Sequence, residues 1–181
     1  MKKRIFVGIC AALLLTSCAQ EYNRVYKTTN NAYKYEFAKE CFAKGKYGFA
    51  VPLLQDLVMV EKGTDNAQEC LYMLAMAEYG LKDYQAASET FKKYYQTYPR
   101  GQYAEMASFY IGQSLFEGTP EPRLDQTPTI AAIAAFQEYL DIYPNGKMKG
   151  TAQQRLFALQ DKLVRKEYLN AKLYYNLGSY F

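Results

Sequence analysis

The chain has 181 residues, a formal net charge of +4 from 22 basic and 18 acidic side chains, and no histidine. Without histidine, the commonest general base and a frequent zinc ligand are missing. The sequence contains no Ser/His/Asp set and no phosphate-binding glycine loop. It also lacks the basic stripe of a nucleic-acid-binding protein. Composition and motifs therefore argue against an enzyme, a metal or cofactor site, and a nucleic-acid partner.

The first element is a short apolar segment that follows three basic residues. Residues 5–15 are too few to cross a bilayer, which needs about 20, but are typical of a signal-peptide core. The sequence LTSC at residues 15–18 then resembles the bacterial lipobox, whose cysteine is acylated and becomes the new N-terminus. The resemblance implies that residues 1–17 are a signal peptide and that Cys18 carries a lipid anchor. An ordinary secretory signal is the alternative.

Removal of the signal peptide lowers the net charge and leaves most of the chain. Three basic residues and no acidic ones leave, so the net charge falls from +4 to +1, and 164 of the 181 residues remain. That length suffices for one domain with a hydrophobic core. We assign residues 18–30 to a lipidated tether and residues 31–181 to the folded domain. Ala19 follows Cys18, and by resemblance to bacterial lipoproteins this indicates the outer membrane.

The folded domain repeats itself with a period of 37 residues. Tyr47 and Tyr84 are one such pair, and two longer series follow the same interval. These series are Phe37, Leu74 and Ile111, and the small residues Ala38, Ala75 and Gly112. The pattern resembles the tetratricopeptide repeat, in which small residues let paired helices approach closely. It predicts an all-α fold, a tetratricopeptide-repeat α-solenoid of antiparallel helix pairs, with units at about 31–64, 68–100 and 104–145.

A long helix is predicted after the third unit. Residues 151–177 contain neither glycine nor proline, and leucines recur along them at helical spacing. The second half of this helix restarts the repeat, so residues 151–181 are predicted to begin a fourth unit.

Two cysteines remain in the folded domain, in an exported setting where a disulfide is chemically possible. Cys41 is predicted late on one first helix and Cys70 early on the next. First helices of neighbouring units run side by side, so the two sulfurs should be about half a helix apart. This spacing disfavours a bridge.

A segment of extra residues interrupts the third unit. Residues 117–128 form a connection about eight residues longer than the equivalent turns, and we predict a loop with Thr127 as helix N-cap and Pro128 at the first helical position. The sequence LDQTPT at residues 124–129 covers the end of this loop and the residue after it. A second characteristic stretch follows at residues 155–163. These segments resemble the BamD family, lipoprotein subunits of the machinery that assembles β-barrel proteins in the bacterial outer membrane.

The resemblance implies a function and a location. It indicates a scaffold without enzymatic activity, lipid-anchored on the periplasmic face of the outer membrane. The implied partners are unfolded outer-membrane β-barrel proteins, the BamA subunit and the other assembly-complex subunits. Family members have five repeats, so the chain is expected to be C-terminally incomplete. The alternative is another periplasmic repeat lipoprotein that binds peptidoglycan, glycan or envelope proteins.

The repeat register predicts which residues form the binding groove. In tetratricopeptide arrays the fifth, ninth and twelfth positions of the first helices line the concave face. In this chain they are Tyr35, Lys39, Phe42, Tyr72, Met76, Tyr79, Phe109, Gln113 and Phe116. Six of the nine are aromatic and offer rigid contact area for an extended peptide. The aromatic residue at each fifth position is expected to contact ligand and that at each twelfth position to pack, although any single one could belong to the core.

Overall fold

The computed structural model describes residues 20–64 and 66–178, and within them every regular element is an α-helix. The helices follow one another in the order α1 (residues 20–26), α2 (Asn31–Ala43), α3 (Tyr47–Val60), α4 (Asn66–Gly80), α5 (Tyr84–Thr97), α6 (Ala104–Glu117), α7 (Thr127–Ile142) and α8 (Lys149–Asn176). Each helix from α2 onward packs mainly on its neighbours in sequence. The predicted all-α solenoid is confirmed.

The helices form three antiparallel pairs, α2 with α3, α4 with α5, and α6 with α7. The first two pairs turn through residues that share a repeat position and adopt the left-handed conformation, Gly45 with φ of +68° and Lys82 with φ of +64°. Glycine adopts this conformation without steric strain, whereas in a lysine it raises the conformational free energy by about 1–2 kcal/mol. Asp83 then caps α5, because its side chain accepts a hydrogen bond from the backbone N–H of Ala86 at 3.2 Å.

Small residues allow the paired helices to approach closely. Ala38 and Ala75, from the predicted series, are fully buried. At Gly112 a Cβ atom would lie 2.9 Å from the ring of Phe136, so a larger residue would push α6 away from α7. The small residues of the second helices are also fully buried. They are Ala50, Ala87 and Ala132.

The second and third pairs are each joined to the next helix by a buried tyrosine. The hydroxyl of Tyr94 accepts a hydrogen bond from the backbone N–H of Tyr103 at 3.2 Å and donates to Oε1 of Gln68 at 3.3 Å. Close approach here requires glycine, since a Cβ at Gly101 would lie 2.6 Å from the Tyr94 hydroxyl. We call this contact between α5 and α6 the second joint.

The third joint, between α7 and α8, repeats the arrangement 45 residues later. The hydroxyl of Tyr139 accepts from the backbone N–H of Met148 at 3.1 Å and donates to Oε1 of Glu105 at 3.2 Å. A Cβ at Gly146 would come within 2.5 Å of that hydroxyl. The first joint, between α3 and α4, has the fully buried Leu57 at the corresponding position.

Part of the predicted tether is packed on the repeats. Residues 20–26 form α1, and Val25 is fully buried. It belongs to a hydrophobic cluster with residues of α2, α3 and α4, which we call the first core cluster. The ring of Tyr22 lies 4.9 Å from that of Phe49, between ring centroids. Asn30, the last residue of the predicted tether, caps α2 by accepting from the backbone N–H of Tyr33 at 3.0 Å.

The long helix is present as α8, a continuous helix of 28 residues. Ala152 and Leu159 are fully buried against the third pair. Farther along, several large apolar side chains of α8 are more than half exposed, and so is Leu177 directly after the helix. Those in α8 are Tyr168, Leu173, Tyr174 and Tyr175.

The start of α7 differs from the prediction by one residue. Thr127 is the first helical residue and Gln126 occupies the N-cap position, so Pro128 is the second residue of the helix. The hydroxyl and the backbone N–H of Thr127 both donate to Oδ1 of Asp125, at 3.0 and 3.3 Å. The Thr127 side chain therefore closes a turn with the preceding loop and does not cap the helix.

Cys41 and Cys70, the two cysteines in the described part of the chain, are thiols and not a disulfide. Both are buried in the first core cluster, which α2, α3 and α4 form together. Burial raises the pKa of the Cys70 thiol to about 12, so this thiol stays protonated and unreactive at neutral pH.

Candidate functional site: the concave face of the repeats

The nine residues predicted to form the groove come from the first helices α2, α4 and α6, three from each. The structure buries three of them, Tyr35, Phe109 and Gln113. It leaves the other six partly exposed, namely Lys39, Phe42, Tyr72, Met76, Tyr79 and Phe116. Ligand contact by any of them stays a prediction. The rings near the turn, Phe42, Tyr79 and Phe116, pack against the core clusters as expected and stay partly exposed. Tyr35 and Phe109, which were expected to contact ligand, are buried.

At the α2 end of the face, Tyr35 and Lys39 converge on one carboxylate from α4. The hydroxyl of Tyr35 donates to Oε2 of Glu69 at 2.6 Å, and Nζ of Lys39 lies 3.1 Å from Oε1. Hydrogen bonding from Tyr35 is the main cause that lowers the pKa of Glu69. Burial and the bond to Glu69 raise the pKa of Tyr35 to about 12. This polar cluster links the first two units across the concave face.

Glu69 was missed at the sequence level. It lies 34 residues after Tyr35, close to the repeat period, and carries the charge opposite to that of Lys39. Residues one repeat apart face each other across neighbouring first helices, so this combination of spacing and charge was the available signal.

In the middle of the face, aromatic rings cover one another. The ring of Tyr72 is stacked on that of Tyr103, with centroids 4.4 Å apart and planes 8° from parallel. Burial, helped by neighbouring tyrosines, raises the pKa of Tyr72 to about 12. One face of this ring is thus occupied by its own protein. Tyr79 meets the edges of Tyr84 and Tyr110, with centroids 5.4 and 5.3 Å away.

At the α6 end, Phe109 belongs to the core. Its side chain is 2% exposed and packs on Phe136 and Tyr139 of α7. Gln113 donates from Nε2 to Oε1 of Glu117 at 2.8 Å, whereas its buried Oε1 has no hydrogen-bond partner among the described residues.

Arg155 of α8 extends the face beyond the predicted row. Its guanidinium carbon lies 4.6 Å from the centroid of the Phe116 ring, a cation–π contact. Within the described residues, no carboxylate lies within salt-bridge distance of this guanidinium. Sequence reasoning missed it because the repeat register assigned no groove positions to α8.

The insertion packs on α8 beside this end of the face. Nζ of Lys162 donates to Oγ1 of Thr119 at 2.5 Å, and Nζ of Lys166 donates to the backbone carbonyl of Leu124 at 3.0 Å. Desolvation lowers the pKa of Lys162. Gln126 is buried inside the loop, donates to the carbonyls of Glu121 and Leu124, and accepts from the Thr129 hydroxyl. The loop is therefore an ordered part of the surface.

The face offers apolar and aromatic area, a few polar groups and no concentrated charge. Among the described residues, no cluster of metal-binding side chains occurs. None of the described helices is both long enough and apolar enough to traverse a bilayer. This chemistry suits the binding of polypeptide.

Comparison with known families identifies the family to which the chain belongs. A family model for outer membrane lipoproteins, YfiO, matches residues 27–181, which include every repeat. The chain belongs to the YfiO family of outer membrane lipoproteins. This family covers BamD-like proteins, its members are of a non-enzymatic scaffold type, and membership supports association with the outer membrane. A search of curated proteins found no match.

The predicted anchor lies outside the described residues. Cys18 and the signal segment before it precede residue 20, where the description begins. Lipidation at Cys18 stays a prediction.

Proposed function

We propose that this YfiO family member is a scaffold subunit of the outer-membrane β-barrel assembly complex. It is anchored through a lipid on Cys18 to the periplasmic face of the outer membrane. Its concave face binds extended segments of unfolded outer-membrane proteins, and the chain binds the BamA subunit and its other partners in the complex. The observation that carries the proposal is the family match over residues 27–181, because this family covers BamD-like proteins.

The concave face supports the peptide-binding part. Its half-exposed aromatic rings and Met76 form an irregular apolar surface that accommodates different side chains. Such a surface suits a client whose sequence varies, as outer-membrane strands do. At the α2 end, the polar cluster of Tyr35, Lys39 and Glu69 borders this apolar surface.

Photo-cross-linking in cells tests this part. A benzophenone amino acid replaces Met76, which is half-buried in the groove, because substitution of Tyr72 would break its stack on Tyr103. The matched control replaces Met59 of α3, which is 79% exposed and outside the groove row. We expect adducts with unfolded outer-membrane β-barrel proteins from position 76 and not from position 59. Equal capture at both positions, or none at 76, would contradict groove binding.

Depletion separates the proposal from its alternative. Loss of an assembly subunit should lower the levels of many outer-membrane β-barrel proteins together and slow growth. A lipoprotein that binds peptidoglycan or glycan should leave barrel levels unchanged. Quantitative mass spectrometry of outer-membrane fractions after depletion measures the difference.

A further inference from the structure

The packing of α1 limits where the predicted anchor can lie relative to the repeats. This helix packs on the first pair, held by the fully buried Val25 and by Tyr22 against Phe49. The chain then reverses through a turn in which the backbone N–H of Thr28 donates to the carbonyl of Val25 at 3.1 Å. The segment that leads from the predicted anchor is thus fixed to the repeats.

The direction of α1 brings its start next to the turn between α2 and α3. Glu21, near that start, lines one small cleft together with Lys44, Lys46 and Phe49. It also lines a second cleft with residues of α2, among them Phe37 and Glu40. Residue 20 therefore lies beside the corner formed by residues 44–48, which we call the α2–α3 corner.

Covalent geometry then limits where a lipid on Cys18 can be. An extended chain spans at most about 3.6 Å per residue, so the two steps from residue 18 to residue 20 cover at most about 7 Å. A flexible tether of a dozen residues would leave the repeats free to rotate about the anchor. A tether of two residues would instead keep a lipidated residue 18 within that distance of residue 20, and so near the α2–α3 corner.

We propose that the α2–α3 corner contacts the phospholipid surface and that the later units extend away from it. This inference rests on the proposed lipidation of Cys18. The corner carries side chains that suit a bilayer interface. Lys44 and Lys46 are exposed, and Nζ of Lys44 forms an ion pair with Glu40. Lysine stems at a bilayer surface can place their ammonium groups at the level of the lipid phosphates.

The chain allows a direct test because it contains no tryptophan. Single tryptophans are introduced at Gly48, Gln85 and Ile130, which lie two residues before the buried alanines of α3, α5 and α7 and are all exposed. A Cβ at Gly48 meets no heavy atom within 4 Å, so that substitution fits the fold. The three positions are equivalent within the repeat and differ in distance from the proposed contact.

Acylated protein purified from membranes is placed on vesicles whose phospholipids are brominated near the headgroup, and its fluorescence is compared with that on unbrominated vesicles. We expect Gly48→Trp to lose most of its fluorescence, Gln85→Trp less and Ile130→Trp none. Equal loss at all three positions would mean that the solenoid lies along the membrane and would overturn the proposal. No loss at Gly48→Trp would overturn it as well.

A separate measurement detects failure of the lipid anchor itself. Mass spectrometry of the N-terminal peptide and vesicle flotation of Cys18→Ser report acylation and its role in binding. Protein that floats without acylation contradicts the proposed anchor and the orientation with it. Acylated protein that floats while Gly48→Trp keeps its fluorescence contradicts the orientation alone.

Discussion

The first joint and the second joint connect equivalent helices with different chemistry. At the second joint, the buried hydroxyl of Tyr94 holds the start of the next unit. At the first, Leu57 fills the same repeat position with apolar side chain only. The polar link there lies on the concave face, where Tyr35 and Lys39 meet Glu69.

The difference teaches that a repeat position fixes a place in the fold without fixing its physical role. A buried hydrogen bond at a joint is shielded from solvent and pH. A partly exposed ion pair on the concave face responds to both, and it lies where a ligand would bind. The first two units are thus joined more adaptably than the second and third.

The largest effect should come from breaking the apolar joint. Leu57→Ala removes a fully buried side chain, so we expect the free energy of unfolding to fall by about 2–5 kcal/mol. Urea denaturation followed by circular dichroism measures it. Leu81→Ala, at an exposed leucine of the α4–α5 turn, is the control and should change little. Equal effects of the two variants would show that burial at the first joint contributes nothing special.

Removal of a single hydroxyl should break the second joint less severely. Tyr94→Phe keeps the ring and leaves the backbone N–H of the partly buried Tyr103 without its partner, so we expect a loss of about 0.5–1.5 kcal/mol. Hydrogen exchange at the Tyr103 amide should become faster. Tyr103→Phe is the matched control, because the Tyr103 hydroxyl makes no hydrogen bond within the described residues. Unchanged exchange in Tyr94→Phe would contradict the joint.

The smallest effect concerns acid. The pKa of Glu69 is lowered in the fold from its usual 4.5, so its stabilising contribution is present above that pH and is lost as the pH falls through the lowered value. We expect amide protection in α2 to weaken in that window, by less than about 1 kcal/mol. Glu69→Gln should reduce the pH dependence there to the part that Glu40 of α2 contributes, because hydrogen bonding from Lys44 lowers the pKa of Glu40 as well. Protection at the second joint should not change. Identical pH profiles for wild type and variant would contradict this role.

Much of the fold could be predicted because the 37-residue period is visible in single residues. Ala38, Ala75 and Gly112 indicated the close helix contacts, and the lack of glycine and proline in residues 151–177 indicated α8. The predicted start of α7 was wrong by one residue because Thr127 donates its hydroxyl and backbone N–H to Asp125 and does not cap the helix. Residue preferences at helix N-caps do not predict which of two nearby hydrogen bonds such a side chain makes.

The site was less predictable, since periodicity identifies a helix face and not what covers it. Phe109 occupies the same position as Tyr72, and equivalent rings of the second helix pack on both of them. Phe109 is nevertheless 2% exposed, whereas Tyr72 stays partly exposed. The tyrosine joints carried a signal that was not used. After both Tyr94 and Tyr139, a tyrosine follows four residues later, a proline five and a glycine seven. The glycine has no side chain and so leaves room for the tyrosine hydroxyl.

The length of α8 sets an angle as well as a distance. A helix of 28 residues is about 42 Å long, and each residue rotates the next by about 100°. Its exposed tyrosines and leucines therefore point in a direction fixed by the number of residues that separate them from Leu159. One residue inserted between them would shift those side chains by only about 1.5 Å but would turn them by more than a quarter of a circle. An insertion or deletion in this helix therefore changes the direction of its exposed side chains much more than their distance from the repeats.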